Sequence, residues 1–279
     1  MIKRRPGRSR NLTAKTKRYA AGLLIVLITL GGLALYLLWP TAEPPNNSGP
    51  QGSPAAEDQL PTEVVPAGVF NKQAHSLNDP VSLWVIVNKG RQLRSSYQPP
   101  DLVVPAVTLR NTSGSEMQLR QTAAGDLKKM FDAAASEGIK LMVASGWRSY
   151  SLQRAIYDRH VKDYGIAEAD RVSARPGHSE HQSGWAVDVA PASGRCVIEK
   201  CFAEMAEGRW VEANAAGFGF IIRYKNGQEQ LTGYDYEPWH LRYVGAELAA
   251  ELSKGTETLE QFFGLPAHSS YPASVYQLK

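Results

Sequence analysis

The chain has 279 residues and a formal net charge of +4. That length holds one well-buried domain with appendages and excludes several large ones. Two cysteines are too few for a thiolate zinc site.

The positive charge is concentrated at the start, where Lys3, Arg4, Arg5, Arg8, Arg10, Lys15, Lys17 and Arg18 precede the first apolar run. The remainder is slightly acidic. A basic arm of this kind can serve nucleic acid, but the adjoining apolar run points to a membrane. Residues 20–39 (AAGLLIVLITLGGLALYLLW) carry no charge and match the thickness of a bilayer's hydrocarbon core. Tyr19, Tyr36 and Trp39 stand near the ends, where amphipathic rings favour the interface. Charge on the N-terminal side places the 1–19 tail in the cytoplasm and the rest of the chain outside it. A cleaved signal peptide is the competing reading, although the apolar run is long for one and no clear small-x-small site comes after it. Residues 40–75, rich in Pro, Gly, Ser and Asn, read as a linker.

A folded domain is expected over residues 76–253, with 254–279 as a C-terminal tail. LWVIVNKG (residues 83–90) reads as a β-rich run ending in a turn. In DLKKMFDAAASEG, Leu127, Met130, Phe131 and Ala134 follow the helical i, i+3, i+4, i+7 spacing, and Gly138 stops the helix. IKLMVAS then reads as a buried strand. SLQRAIYDRHVKDYG reads as a helix capped by Ser149 or Ser151. WAVDVA and WHLRYV alternate as strands, with a helix over about residues 208–216 between them. The expected fold class is α+β, a small and largely antiparallel sheet with flanking helices. Cys196 and Cys201 are close enough to close a small loop as a disulfide in an oxidising compartment; a free pair is the alternative.

Strand alternation selects the candidate site. In GWAVDVA, Trp185, Val187 and Val189 share one face, and Asp188 lies on the other between the small Ala186 and Ala190. His181 sits in the polar segment just before this strand. In EPWHLRYVG, Trp239, Leu241 and Tyr243 face one way, His240 and Arg242 the other, and Glu237 stands at the strand entrance. Pro238 disfavours a helical Glu-x-x-His arrangement. His181, Asp188 and His240 thus supply two imidazoles and a carboxylate, the ligand set of a catalytic zinc site with one open position. Glu237 is placed to serve as general base. His178, three residues before His181, is read as a pocket-wall or hydrogen-bonding residue. Any one of these residues alone is more often structural; the joint pattern carries the reading.

The segments SGWRSYSLQ, ARPGHSEHQSGWAVDV and EPWHLRYVG strongly resemble the VanY-type D-alanyl-D-alanine carboxypeptidases, zinc peptidases that trim peptidoglycan stems. The order Ser-x-His-x6-Asp, then Glu-x-x-His far downstream, carries the likeness over about residues 78–245, and VNKGRQLRSSYQPPDL (87–102) looks like that family's lead-in. The resemblance implies one Zn2+ held by His181, Asp188 and His240, Glu237 as catalytic base, and Arg148 on the substrate carboxylate or the oxyanion. It also sets Gln153 and Ser179 near the bound peptide. The expected protein is a monomeric carboxypeptidase of the bacterial cell membrane, acting on peptidoglycan stem peptides outside the cytoplasm and binding no nucleic acid. D,D-carboxypeptidase action is favoured. The rivals are L,D-carboxypeptidase, D,D-dipeptidase or endopeptidase action, a non-catalytic wall-binding module, and a non-enzymatic membrane protein whose basic tail binds lipid or nucleic acid.

Overall fold

The computed structural model describes residues 70–111 and 114–279. The expected basic tail, membrane helix and most of the linker lie outside the described residues, among which no helix is long and apolar enough to cross a membrane. In chain order the described elements are β1 (Arg91–Gln92), β2 (Leu102–Val103), β3 (Leu119–Arg120), α1 (Gln121–Ser136), β4 (Leu141–Ser145), α2 (Tyr150–Tyr164) and α3 (Ile166–Val172). They continue with β5 (Ala186–Pro191), α4 (Ala206–Asn214), β6 (Phe220–Tyr224), α5 (Glu229–Thr232), β7 (Glu237–Tyr243), α6 (Ala246–Ser253), α7 (Leu259–Phe262) and β8 (Tyr276–Gln277).

The centre is a four-stranded antiparallel sheet in the order β4-β5-β7-β6. One face carries Val143, Val187, Val189, Trp239, Leu241 and Tyr243 into the main core. There Leu127, Met130, Phe131 and Ala134 of α1 meet them, so the helical period and the strand period converge on one apolar layer. The opposite face carries Asp188, His240 and Arg242. The Ser149 side chain caps α2 by accepting from the Leu152 amide, and Gly138 takes positive φ just beyond α1.

Residues 83–90 do not form the expected strand run. Their side chains do alternate, Val85 and Val87 into the main core and Trp84 and Ile86 into a second cluster with Leu248, Leu252 and Leu259. The backbone, however, joins no ladder among the described residues: it makes an isolated bridge, Asn88 to Arg91, and the Ile86 amide donates to Leu77 O. Carbonyls in and beside the segment are taken by side chains instead: Arg242 donates to Leu83 O, Arg91 to Ile86 O, and Trp185 to Ser82 O. Burial on two faces produced a strand-like pattern without a ladder partner.

Residues 254–279 pack as part of the domain rather than as a tail. Thr258 and Gln261 form a capping box that starts α7, β8 pairs in parallel with β1, and Leu278 is fully buried in the main core. On the other side, Phe70 stacks on Trp84 at 5.4 Å, ahead of the expected start at 76. Cys196 and Cys201 are joined as a disulfide.

Candidate active site

The pairing of β5 with β7 sets Asp188 directly opposite His240, on the face turned away from the core. Two register irregularities adjust the neighbours. One, between Val143 and Ser145, brings Ser145 beside Asp188; the other, between Ile222 and Tyr224, sets Tyr224 opposite Glu237. Regular alternation would send Glu237 to the core side with Trp239. The bulge re-aims it, and its carboxylate lies 3.5 Å from His240 Nδ1. His181 arrives from a single tight turn, Glu180–Ser183, that ends at Gly184. Gly184 has φ +74, and a Cβ there would lie 3.1 Å from the side chains of Arg120 and Leu102, so the turn needs a glycine.

His181 Nε2 lies 3.3 Å from Asp188 Oδ2, and His240 Nδ1 lies 3.3 Å from Asp188 Oδ1. One ligand atom from each of His181, Asp188 and His240 falls within 4.8 Å of the others, and all three residues are buried. His181 Nδ1 donates to Gly146 O at 2.6 Å; a carbonyl only accepts, so the proton sits on Nδ1 and the Nε2 lone pair faces Asp188. Burial depresses the His181 pKa and keeps its ring neutral, as a ligand must be. Burial opposes ionisation of Asp188, but His181 and His240 hold its carboxyl well below the usual range. Burial also opposes a charged His240, yet Asp188 and Glu180 lift it to about 9. A field that draws a proton to this point draws a metal cation as well. Two neutral-capable imidazoles and one carboxylate, with Asp188 Oδ1 lacking a hydrogen-bond partner among the described residues, fit a zinc ion with a remaining open position.

These groups line a cleft of about 460 Å³ together with Arg148, Ser179, Tyr224 and Tyr234. Arg148 is held by three contacts: it donates to Gln153 Oε1 at 2.8 Å and to Ser145 Oγ at 3.2 Å, and lies 3.6 Å from Asp188. Gln153 is fully buried and in turn donates to Ala174 O at 2.6 Å. The family resemblance set Gln153 beside the bound peptide; the structure puts it behind Arg148, with its amide committed to the protein. Ser179 does line the cleft. His178 turns away, Nδ1 against Asn88 O at 2.8 Å and its ring edge-on to Tyr271, and takes no part in the His181–Asp188–His240 cluster. Burial pushes the Glu237 carboxyl up to about 7, against the pull of His240, which suits a group that must both take and return a proton near neutrality.

Sequence reasoning missed the charges behind His240. Glu180, Arg223, Arg242 and Glu260 are all buried and mutually bonded. The signal was present in part: Arg223 and Arg242 interrupt apolar strands on the His240 side, and a buried arginine demands a partner. The partners, Glu180 and Glu260, lie far away in sequence and carry no periodic mark.

The family profile described as VanY, D-alanyl-D-alanine carboxypeptidase, matches residues 116–246. Among curated proteins the chain is 41% identical over 189 residues to the putative carboxypeptidase YodJ of Bacillus subtilis (strain 168), covering 67% of this chain and 69% of that one. It is 37% identical over 145 residues to a D-alanyl-D-alanine carboxypeptidase of Enterococcus faecalis, covering 49% of this chain and 52% of that one. Among solved structures it is similar to the LdcB LD-carboxypeptidase, at 40% identity and TM-score 0.64, over 71% of this chain and 89% of that one. A VanY D,D-pentapeptidase variant solved in complex with Zn(II) matches at 33% identity and TM-score 0.53, over 64% and 97%. The fold, the motif order and these likenesses agree: the chain belongs to the VanY family of D-alanyl-D-alanine carboxypeptidases.

Proposed function

We propose that this protein is a zinc-dependent carboxypeptidase that hydrolyses the bond before a C-terminal D-alanine of peptidoglycan stem peptides, with D,D-carboxypeptidase action as the leading reading. The observation that carries it is the convergence of His181, Asp188 and His240 in one cleft with Glu237 and Arg148. His181, Asp188 and His240 would hold a single zinc ion, which when bound supplies Lewis acidity toward the scissile carbonyl and acidifies water. Glu237 accepts the proton of the attacking water on its carboxylate and returns it to the leaving amine. The Arg148 guanidinium, aimed by Gln153 and Ser145, receives the substrate's terminal carboxylate or the negative charge developing on the carbonyl oxygen. The test is incubation of the full chain with defined muropeptides, with and without chelator, and product masses as readout. Loss of one D-alanine, abolished by chelator and restored by Zn2+, is the expected result. Unchanged substrate in every arm rejects the reading. A Glu237→Ala variant that keeps zinc and fold but loses turnover separates an enzyme from a wall-binding module.

A second reading, L,D-carboxypeptidase action, is favoured by the likeness to LdcB. Stems ending in D-Ala-D-Ala and stems ending in one D-Ala, compared by kcat/KM, decide between the two.

The placement proposed is a monomer tethered to the bacterial membrane through residues 20–39, with the catalytic domain outside the cytoplasm. The uncharged apolar run after a basic tail supports it, as does the Cys196–Cys201 disulfide, which suits an oxidising compartment. Protease accessibility of the domain on intact cells checks it.

A further inference from the structure

Four charged side chains stand behind His240 with almost no exposure: Glu180, Arg223, Arg242 and Glu260. Two carboxylates balance two guanidiniums. Glu180 Oε1 accepts from Arg223 Nε at 2.9 Å and from Arg242 Nη1 at 3.1 Å. Glu260 accepts from Arg223 through both oxygens and from Asn88 Nδ2 at 2.9 Å. Both arginines meet Glu180 through the same oxygen. The other oxygen, Oε2, has no hydrogen-bond partner among the described residues, and neither has His240 Nε2; the two buried atoms face each other at 3.5 Å.

Taking four ions out of water carries a large desolvation cost, and replacing such a cluster by apolar groups is often neutral or stabilising. Stability alone therefore does not account for it. Orientation does. An imidazole that ligates through one nitrogen is commonly fixed by a carboxylate on the other. Glu180 can only accept, so it keeps a proton on Nε2, and Nδ1, on the side of Asp188 and Glu237, is the nitrogen left to give up its proton to a metal. The same short turn carries His181, so one segment supplies a ligand in front and an orienting carboxylate behind.

We propose that Glu180 is a positioning residue that fixes His240 in the ring orientation and tautomer needed to bind metal through Nδ1, and is itself aimed by Arg223 and Arg242. This rests on His240 being a metal ligand. The most informative variant is Glu180→Gln. With two guanidiniums donating to one side of the residue, the amide oxygen must turn to them and the amide N–H must turn to His240. His240 Nε2 then has to accept, and the ring proton moves to Nδ1, where it blocks coordination.

The test measures Zn2+ affinity of the full chain by chelator competition, the melting temperature of the metal-free protein, and the visible spectrum of the Co2+ form. Glu180→Gln is expected to weaken Zn2+ binding on the order of 10–100-fold and to alter the Co2+ spectrum. Glu180→Asp, which keeps the charge but shortens the reach, should shift affinity the same way and serves if the glutamine variant does not fold. Leu248→Ala, in the second cluster, should lower the melting temperature with Zn2+ affinity unchanged. Affinity within about twofold of the parent in both Glu180 variants, well under the 10–100-fold expected of an orienting partner, overturns the proposal, as does an equal loss in Leu248→Ala. A parent that binds no Zn2+, or a His240→Ala variant that binds it as well as the parent, overturns the metal-centre reading instead.

Discussion

Glu237 is the residue whose environment matters most to rate. Its carboxyl, pushed up to about 7 by burial, must be ionised to take a proton from water. Activity should therefore rise with pH through an acid limb between the ordinary glutamate value of 4.5 and about 7, since a bound dication draws the limb downward from the metal-free value. A kcat/KM profile with one ionisation on that limb, lost in Glu237→Gln along with most turnover, is the expected outcome. Arg148 and Gln153 make a graded pair. Arg148→Ala should lower kcat/KM by about 10²–10³-fold, the usual loss when a donor to developing charge is removed. Gln153→Ala leaves the guanidinium present but unaimed; losing one hydrogen bond to a charged group, about 1.5–3 kcal/mol, predicts a loss of roughly 10–150-fold, smaller at its midpoint. Steady-state kinetics on one stem peptide rank the two. Asp188 and His240 could be found from sequence because a strand's two-residue period assigns a face to every position. Glu180 could not, because nothing local distinguishes a buried glutamate from a solvated one; its role exists only through Arg223 and Arg242, 43 and 62 positions away.

Among the elements, the β5–β7 pair and the turn before it do the positioning. That turn hinges on Gly184, at φ +74 and pressed by Arg120 and Leu102. Gly184→Ala should cost at least about 1 kcal/mol for the left-handed backbone alone. It should lower the melting temperature by roughly 2–4 °C or more for a domain this size, and weaken metal binding as His181 shifts. Thermal unfolding with and without Zn2+ reads both. Helix α1 and strands β5 and β7 were legible because each presents an apolar stripe of the right period to the main core, and β4, with Leu141 and Val143 on that core and Met142 and Ala144 in a small separate cluster, read as a strand from its short apolar run. The 83–90 segment carries the same two-sided signal and misled. It presents apolar side chains to two cores at once, and hydrophobic pattern carries no information about where the backbone hydrogen bonds go. The bulge that swings Glu237 toward His240 was equally silent, since Pro238 announces a break in the ladder but not its direction.

At the scale of the molecule, the boundary drawn at residue 253 falls inside the fold. Leu259 and Leu278 are each buried to 1% exposure or less, and Glu260 closes the charge network behind the site. Losing one buried leucine typically costs about 2–5 kcal/mol, against a typical total of about 5–15. A chain ending at Ser253 should therefore fail to fold cooperatively; loss of a sharp thermal transition checks this. The sequence hid the point because residues 264–279 have no regular period; Leu278 alone of them is buried, where β8 meets β1, and Tyr271 packs beside Lys89.

The parallel pairing of β1 with β8 also says something about time. Tyr276 donates to Gly90 O and Leu278 to Gln92 O, so the first strand of the domain waits for the last. A chain is synthesised from its N-terminus, and contacts of such separation in sequence form late. Residues 181 to 240 leave the ribosome well before the strand that seals the core above them. The domain thus completes itself only once β8 has been made, and the cleft acquires its final shape late.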